Sequence, residues 1–252
     1  MKYFNFIIVL IIFSVLGLSS CKKEETVTTK TSGDVGLDIE HVWGSAEEEF
    51  ILNKEYTHPL TNDKMTFTIF RYYVSNLRLK STDGTWFTQP DSYYIVDLGT
   101  DETFLSIPEV PGGEYTDIEV TFGVDSLHNV SGAQTGALAP SNSMFWSWNS
   151  GYIMLKAEGI SPNSLTGNFI FHLGGFMGEN KVQTTKTYNF GTTPLVIDGN
   201  REAEIHLVAN PAKLWHSADN LATKSSMTIP GVIAKTMSST FYNGIKFDHI
   251  HN

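Results

Sequence analysis

Eight histidines, seven methionines and a single cysteine are the residues of this 252-residue chain with metal chemistry in reach. Imidazole nitrogen binds copper(II) readily and thioether sulfur suits copper(I), so a copper site here would be built from histidine, with methionine or oxygen as the weaker ligand. His41 and His172 stand in runs of alternating apolar residues. An unpaired imidazole is costly to desolvate there, so each calls for a partner or a metal. His128 lies in the loop that leads towards Met144-Phe145-Trp146-Ser147-Trp148. These residues, His41, His128 and His172 with Met144, Trp146 and Trp148 beside them, are the candidate copper site.

The other histidines read differently. His206 alternates with Glu204 and Val208, on the polar side of its run, and reads as structural or exposed. The C-terminal Asp248-His249-Ile250-His251-Asn252 holds two imidazoles two residues apart. In an extended chain they point the same way at about 7 Å, which suits chelation and equally suits a solvated tail. His58 and His216 fall in irregular stretches and are given no role.

Trp146 and Trp148 are also two apart, so an extended backbone puts both indoles on one face. They fit a buried aromatic plug, a wall beside a copper ion, an oxidisable tryptophan, or a stacking platform for a sugar. With Asn142, Asn149 and Asp125 the last of these makes a glycan- or surface-ligand-binding module the competing function. No G-x-S-x-G elbow, H-E-x-x-H pair, phosphate loop or cysteine nucleophile is present, so no motif supports an enzyme. The net charge of −10 argues against nucleic acid as a partner.

The elements that must position these side chains are strands. Period-two alternation recurs and sustained helical periodicity does not. Leu37, Ile39, His41 and Trp43 share one face of a first strand; 65–80 reads as one long or bent strand, followed by a tight turn at Thr82-Asp83-Gly84-Thr85. Further strands are expected over 93–98, 117–122, 152–157, 168–173, 185–190 and 202–208. Between two of them, the glycine- and aromatic-rich stretch from Gly123 to Gly159 has a middle of neither period, the signature of a functional loop. Only 217–224 and 231–238 suit short helices. The expectation is an all-β fold, a single β-sandwich or barrel-like domain over 37–252 with long loops and at most short helices.

The first twenty residues carry Lys2, an apolar run from Phe6 to Leu18 and then Leu18-Ser19-Ser20-Cys21. The run is too short to span a membrane and reads as a secretory signal over 1–20. The chain's one cysteine stands at the cleavage point, which resembles a bacterial lipobox and implies lipidation of Cys21. Residues 21–36 have almost no apolar content and read as a flexible tether. The implied address is the outer membrane, on the periplasmic face or the cell surface.

Several blocks together, Tyr72-Tyr73-Val74-Ser75-Asn76-Leu77-Arg78-Leu79, Pro111-Gly112-Gly113-Glu114-Tyr115, Phe122-Gly123-Val124-Asp125, Met144 to Tyr152, Glu158-Gly159 and Phe171-His172-Leu173-Gly174-Gly175, resemble the MbnP-like family. These are secreted or lipid-anchored bacterial proteins associated with copper handling. The resemblance implies an all-β fold and copper binding without catalysis. It also implies that a di-haem peroxidase-like partner can oxidise a tryptophan to kynurenine, which then helps to bind copper. Where other members have Leu-Asn-His after the Gly-Val block, this chain has Leu127-His128-Asn129, and it lacks their cysteines.

Overall fold

Strand β4 (Lys64–Ser81) is the longest element of the computed structural model, which describes residues 31–100, 102–131, 134–147, 150–215 and 220–252. The expected signal and Cys21, and with them Trp148 and His216, lie outside the described residues. Before β4 come β1 (Gly33–Trp43), β2 (Glu48–Glu49) and β3 (Glu55–Thr57). After it come β5 (Trp86–Thr88), β6 (Tyr93–Asp97), β7 (Phe104–Val110) and β8 (Gly113–Phe122). The five-residue helix α1 (Ser126–Val130) opens the long loop, which closes with β9 (Phe145–Ser147) and β10 (Gly151–Ile160). Then follow β11 (Asn168–Gly174), β12 (Thr184–Asn189), β13 (Leu195–Ile197), β14 (Ala203–Ala209), β15 (Ser226–Met227), helix α2 (Val232–Gly244) and β16 (Lys246–His251). The all-β expectation holds, and among the described residues no helix is long and apolar enough to cross a membrane.

The strands form two sheets. The larger runs β12-β8-β4-β10-β11-β15 with shorter strands at its margins; the smaller runs β16-β14-β1-β2, with β7 also on β1. Alternation along β4 sends Phe70, Tyr72 and Val74 into the space between the sheets. At Asn76 the backbone takes φ 52°, the register against β8 slips between Ser75 and Arg78, and Leu77 and Leu79 resume the inward face. One extra residue thus keeps a bent strand apolar on one side throughout, as a bulge does. Leu37 and Ile39 of β1, Leu105 and Ile107 of β7 and Ile205 and Leu207 of β14 complete the core from the other sheet.

One edge of β4 is divided between two partners. β10 pairs with its first half, Leu155 opposite Tyr72, and β8 with its second half, Phe122 opposite Val74. Between them the Tyr73 carbonyl accepts from Gly123 N (2.9 Å), and Gly123, at φ 109°, turns the chain out of the sheet. The loop expected from the sequence therefore leaves at the fork where the two partner strands part.

Two expectations about element ends are corrected. β1 begins at Gly33 with Val35 fully buried, so ordered chain starts inside the stretch read as tether. Val35 shares the phase of Leu37, and a single apolar residue after a polar run gave too little signal. α2 continues six residues past 238, because Ala234, Met237, Ser238, Phe241 and Tyr242 form a continuous buried stripe. Phe241 packs edge-on to Phe70 and Tyr72, and Tyr242 stacks on Phe122, so the helix closes one mouth between the sheets. Residues 220–223, expected as part of a short helix, make a turn held by Asn220.

Candidate functional site

On the outer face of the large sheet four strands place charged or imidazole side chains directly opposite one another. His172 on β11 faces Lys156 on β10, Lys156 faces Arg71 on β4, and Arg71 faces Asp97 on β6. The inward neighbours Phe171, Leu155, Tyr72 and Val96 are all in the core, so strand alternation turns this row to the outer face, where Asp97 is buried and Arg71, Lys156 and His172 are partly covered. Arg71 Nε lies 2.8 Å from Asp97 Oδ2. His172 Nε2 lies 2.7 Å from Glu158 Oε1, which Lys156 Nζ also approaches at 3.3 Å. Burial alone would raise the Glu158 carboxyl, but the hydrogen bond with His172 and the Lys156 charge outweigh it and hold it below its usual range.

Trp146 lies at the upper end of this row. A Cβ added to Gly174 would come within 2.5 Å of the Trp146 six-membered ring and 2.6 Å of the Tyr152 carbonyl, so the indole rests on bare backbone. Gly174 is two residues from His172 on the same strand and the same face. Above it the loop builds a satellite core of Tyr73, Val124, Leu138, Met144, Tyr152 and Ile153. The Tyr73 hydroxyl donates to Ala137 O (3.1 Å), the Tyr152 hydroxyl to Leu138 O (2.7 Å) and Asn142 Nδ2 to Gly136 O and Ala137 O (both 2.9 Å). Side-chain donors thus stand in for the backbone ladder that the loop lacks. A cleft of about 650 Å³ runs between this loop and the sheet, lined by Arg71, Tyr93, Ile95, Asp97, Ala137 and Asn142.

The three histidines singled out by sequence do not come together. His41 points into the core between the sheets, fully enclosed, with Nε2 3.1 Å from the Tyr72 hydroxyl. Desolvation holds its pKa down to about 3 against a hydrogen bond to the Ile39 backbone. It is a neutral, satisfied core imidazole on the opposite side of the large sheet from His172. His128 sits on α1, with Nδ1 2.7 Å from the Tyr93 hydroxyl and 3.0 Å from each Asp125 carboxylate oxygen. Asp125 caps the helix by accepting from His128 N (3.1 Å). Burial would raise its carboxyl, but hydrogen bonds from Tyr93, His128 and Asn76 bring it down to about 2. Tyr93 is four residues along β6 from Asp97, and Asp97 is three strands from His172 in the opposed row. That is about 13 Å along the strands and ~14 Å across them, too far for His128 and His172 to share an ion.

Other expectations shift as well. Met144 is fully buried in the satellite core, so its thioether does not face the His172 row. Asn129 takes the inward position of its pair: Nδ2 donates to Val124 O and Asp125 O, and Oδ1 accepts from Tyr152 N. The order Leu127-His128-Asn129 therefore leaves His128 on the rim. Asn142 and Asp125, counted earlier as glycan-recognising groups, make internal hydrogen bonds, and Asn149, the third, lies outside the described residues. His58 is fully buried, Nε2 2.9 Å from Ala212 O, a structural role.

Sequence reasoning missed a different convergence. His206, His249 and His251 place ligand nitrogens within 4.8 Å of one another, and among the described residues no other three-residue group of histidine, cysteine or carboxylate does so. The His-x-His was visible. The pairing that brings His206 to it spans more than forty residues and leaves no local mark.

Comparison with known proteins gives three findings. The sequence model of the MbnP family matches residues 32–234. A solved structure, MbnP from Methylosinus trichosporium, superposes with a TM-score of 0.53 at 15% identity, over 79% of this chain and 83% of that one. At that identity the likeness is one of fold. Comparison with curated proteins returned no match.

Proposed function

Because this chain belongs to the MbnP family, we propose that it is a copper-binding protein of the bacterial cell envelope, held at the outer membrane by a lipid on Cys21 and acting in copper acquisition or storage. One observation carries the reading: two sequence blocks far apart in the chain meet on a single sheet face, Trp146 lying on Gly174 beside His172, with Glu158 at 2.7 Å from the imidazole. Imidazole nitrogen with carboxylate oxygen is a donor pair suited to copper(II). Glu158, held below its usual range, is ionised at neutral pH and ready to ligate. Lys156 would then leave the carboxylate to the metal.

Trp146 is half-buried at the rim of the row. It would shield one side of a bound ion, and it is the residue that a di-haem peroxidase-like partner would reach to make a further ligand. The test is a copper(II) titration of the untagged mature protein, followed by tryptophan fluorescence. An ion beside Trp146 quenches it, and His172→Ala should abolish that quenching. Equal quenching in the variant would remove His172 from the site.

A further inference from the structure

The proposed copper face lies on the large sheet; the three-histidine group lies on the outside of the small one. β14 buries Ala203, Ile205, Leu207 and Ala209 and turns Glu204, His206 and Val208 outward. β16 pairs with it antiparallel, setting His249 opposite His206 and His251 opposite Glu204; the register slips between His206 and Leu207. A bulge re-aims the residues beside it. β1 lies on the other side, parallel, with Asp38 opposite His206. The His206 and His249 rings stack at 4.3 Å, 5° from parallel, and His251 stands edge-on to both, at 4.9 and 4.7 Å.

The nitrogens are arranged as ligands are. His249 Nε2 lies 3.0 Å from His251 Nε2. Two imidazoles on one late first-row ion, each about 2.0–2.1 Å from it, have nitrogens roughly 2.9–3.4 Å apart. His249 Nδ1 is held by Asp248 Oδ2 at 2.7 Å, which leaves Nε2 free to face inward. His206 has Asp38 Oδ2 3.5 Å from Nδ1 and Glu204 Oε2 3.3 Å from Nε2. A carboxylate on the non-ligating nitrogen fixes the ring and raises its basicity; at His206 one of these two carboxylates takes that place, and the other stands on the ligating side, where it can supply an oxygen to the same ion.

We infer that His206, His249 and His251 form a second metal site, separate from the His172 face, that takes a late first-row divalent cation, with Asp38, Glu204 and Asp248 supporting it. The ion of highest affinity at such a nitrogen site is copper(II), with zinc(II) below it. His249 and His251 are exposed, so the bound ion exchanges with solvent. Both lie beyond residues 32–234 matched by the family model, whereas His206, Asp38 and Glu204 lie within them. The ion would also clamp β16, an edge strand, onto β14.

The test is a copper(II) titration by calorimetry on the untagged mature protein, with nitrogen hyperfine structure read by electron paramagnetic resonance. His249→Ala with His251→Ala should remove one equivalent and leave the one that depends on His172. His206→Ala should weaken the same equivalent by at least about tenfold, since loss even of a group behind a ligand costs that much. All three side chains point outward, and melting of each variant without metal checks that it folds. An unchanged stoichiometry in the double variant would overturn the site. Full-affinity binding in His206→Ala would also overturn it, reducing it to a two-histidine tail chelate. Loss of the same equivalent in His172→Ala would show one site where two are inferred.

Discussion

Tyr72 and Tyr73 are neighbours in β4 and serve opposite faces of the large sheet. The Tyr72 hydroxyl meets His41 Nε2 at 3.1 Å inside the core, and the Tyr73 hydroxyl donates to Ala137 O at 3.1 Å under the outer loop. This one step of alternation explains why His41 and His172, both set in apolar runs, cannot meet. It separates the molecule into a stabilising interior and a chemical exterior.

The interior imidazole makes stability depend on pH. In the unfolded chain His41 titrates near the ordinary value of 6.5; folded, its pKa is about 3. Its contribution is therefore fully present above pH 6.5 and is lost as pH falls from there towards 3, at about 1.4 kcal/mol per pH unit. Urea unfolding of wild type and His41→Gln across this range should show the slope reduced in the variant by about that amount. Identical slopes would mean that His41 takes up its proton in the folded state.

Gly174→Ala should displace Trp146. A Cβ at that position would stand 2.5 Å from the indole and 2.6 Å from the Tyr152 carbonyl, so ring or strand must move. Overpacking of this kind costs about 1–3 kcal/mol. Denaturant unfolding and the tryptophan emission maximum would report both effects, and an unchanged spectrum would show that the ring does not rest there.

Asn129→Ala should loosen the loop. Its amide satisfies two carbonyls and one backbone N–H in a fully buried position. Leaving buried polar groups unpaired costs about 1–3 kcal/mol. Amide exchange across 124–130 and at Tyr152 should quicken ahead of the core strands; protection equal to wild type would contradict this account.

Much of the fold was legible because strands of period two declare which residues share a face. The run 65–80 maps onto β4, and 152–157 and 168–173 onto β10 and β11. Period two does not say which sheet a strand joins. His41 and His172 therefore looked alike, although one lies between sheets and the other on an outer face. Nor does it give long-range register, so the histidine pair of the C-terminus could be seen and its third member, His206 across a paired strand, could not. The aromatic loop was recognisable as a site by its lack of period, and its folding onto Tyr73 was not, since that rests on carbonyls that any loop possesses.

The proposed anchoring rests on Cys21 alone. If its side chain carries the lipid, Cys21→Ser should move the protein from the membrane to the soluble fraction of its own cells. A variant that still sediments with the outer membrane would contradict lipid anchoring.

Metal analysis after equilibrium dialysis against copper(II) tests copper binding on the face shared by Trp146 and His172. His172→Ala should retain one equivalent fewer than wild type while keeping the equivalent held by His206, His249 and His251. Retention of the full wild-type complement by His172→Ala would contradict it.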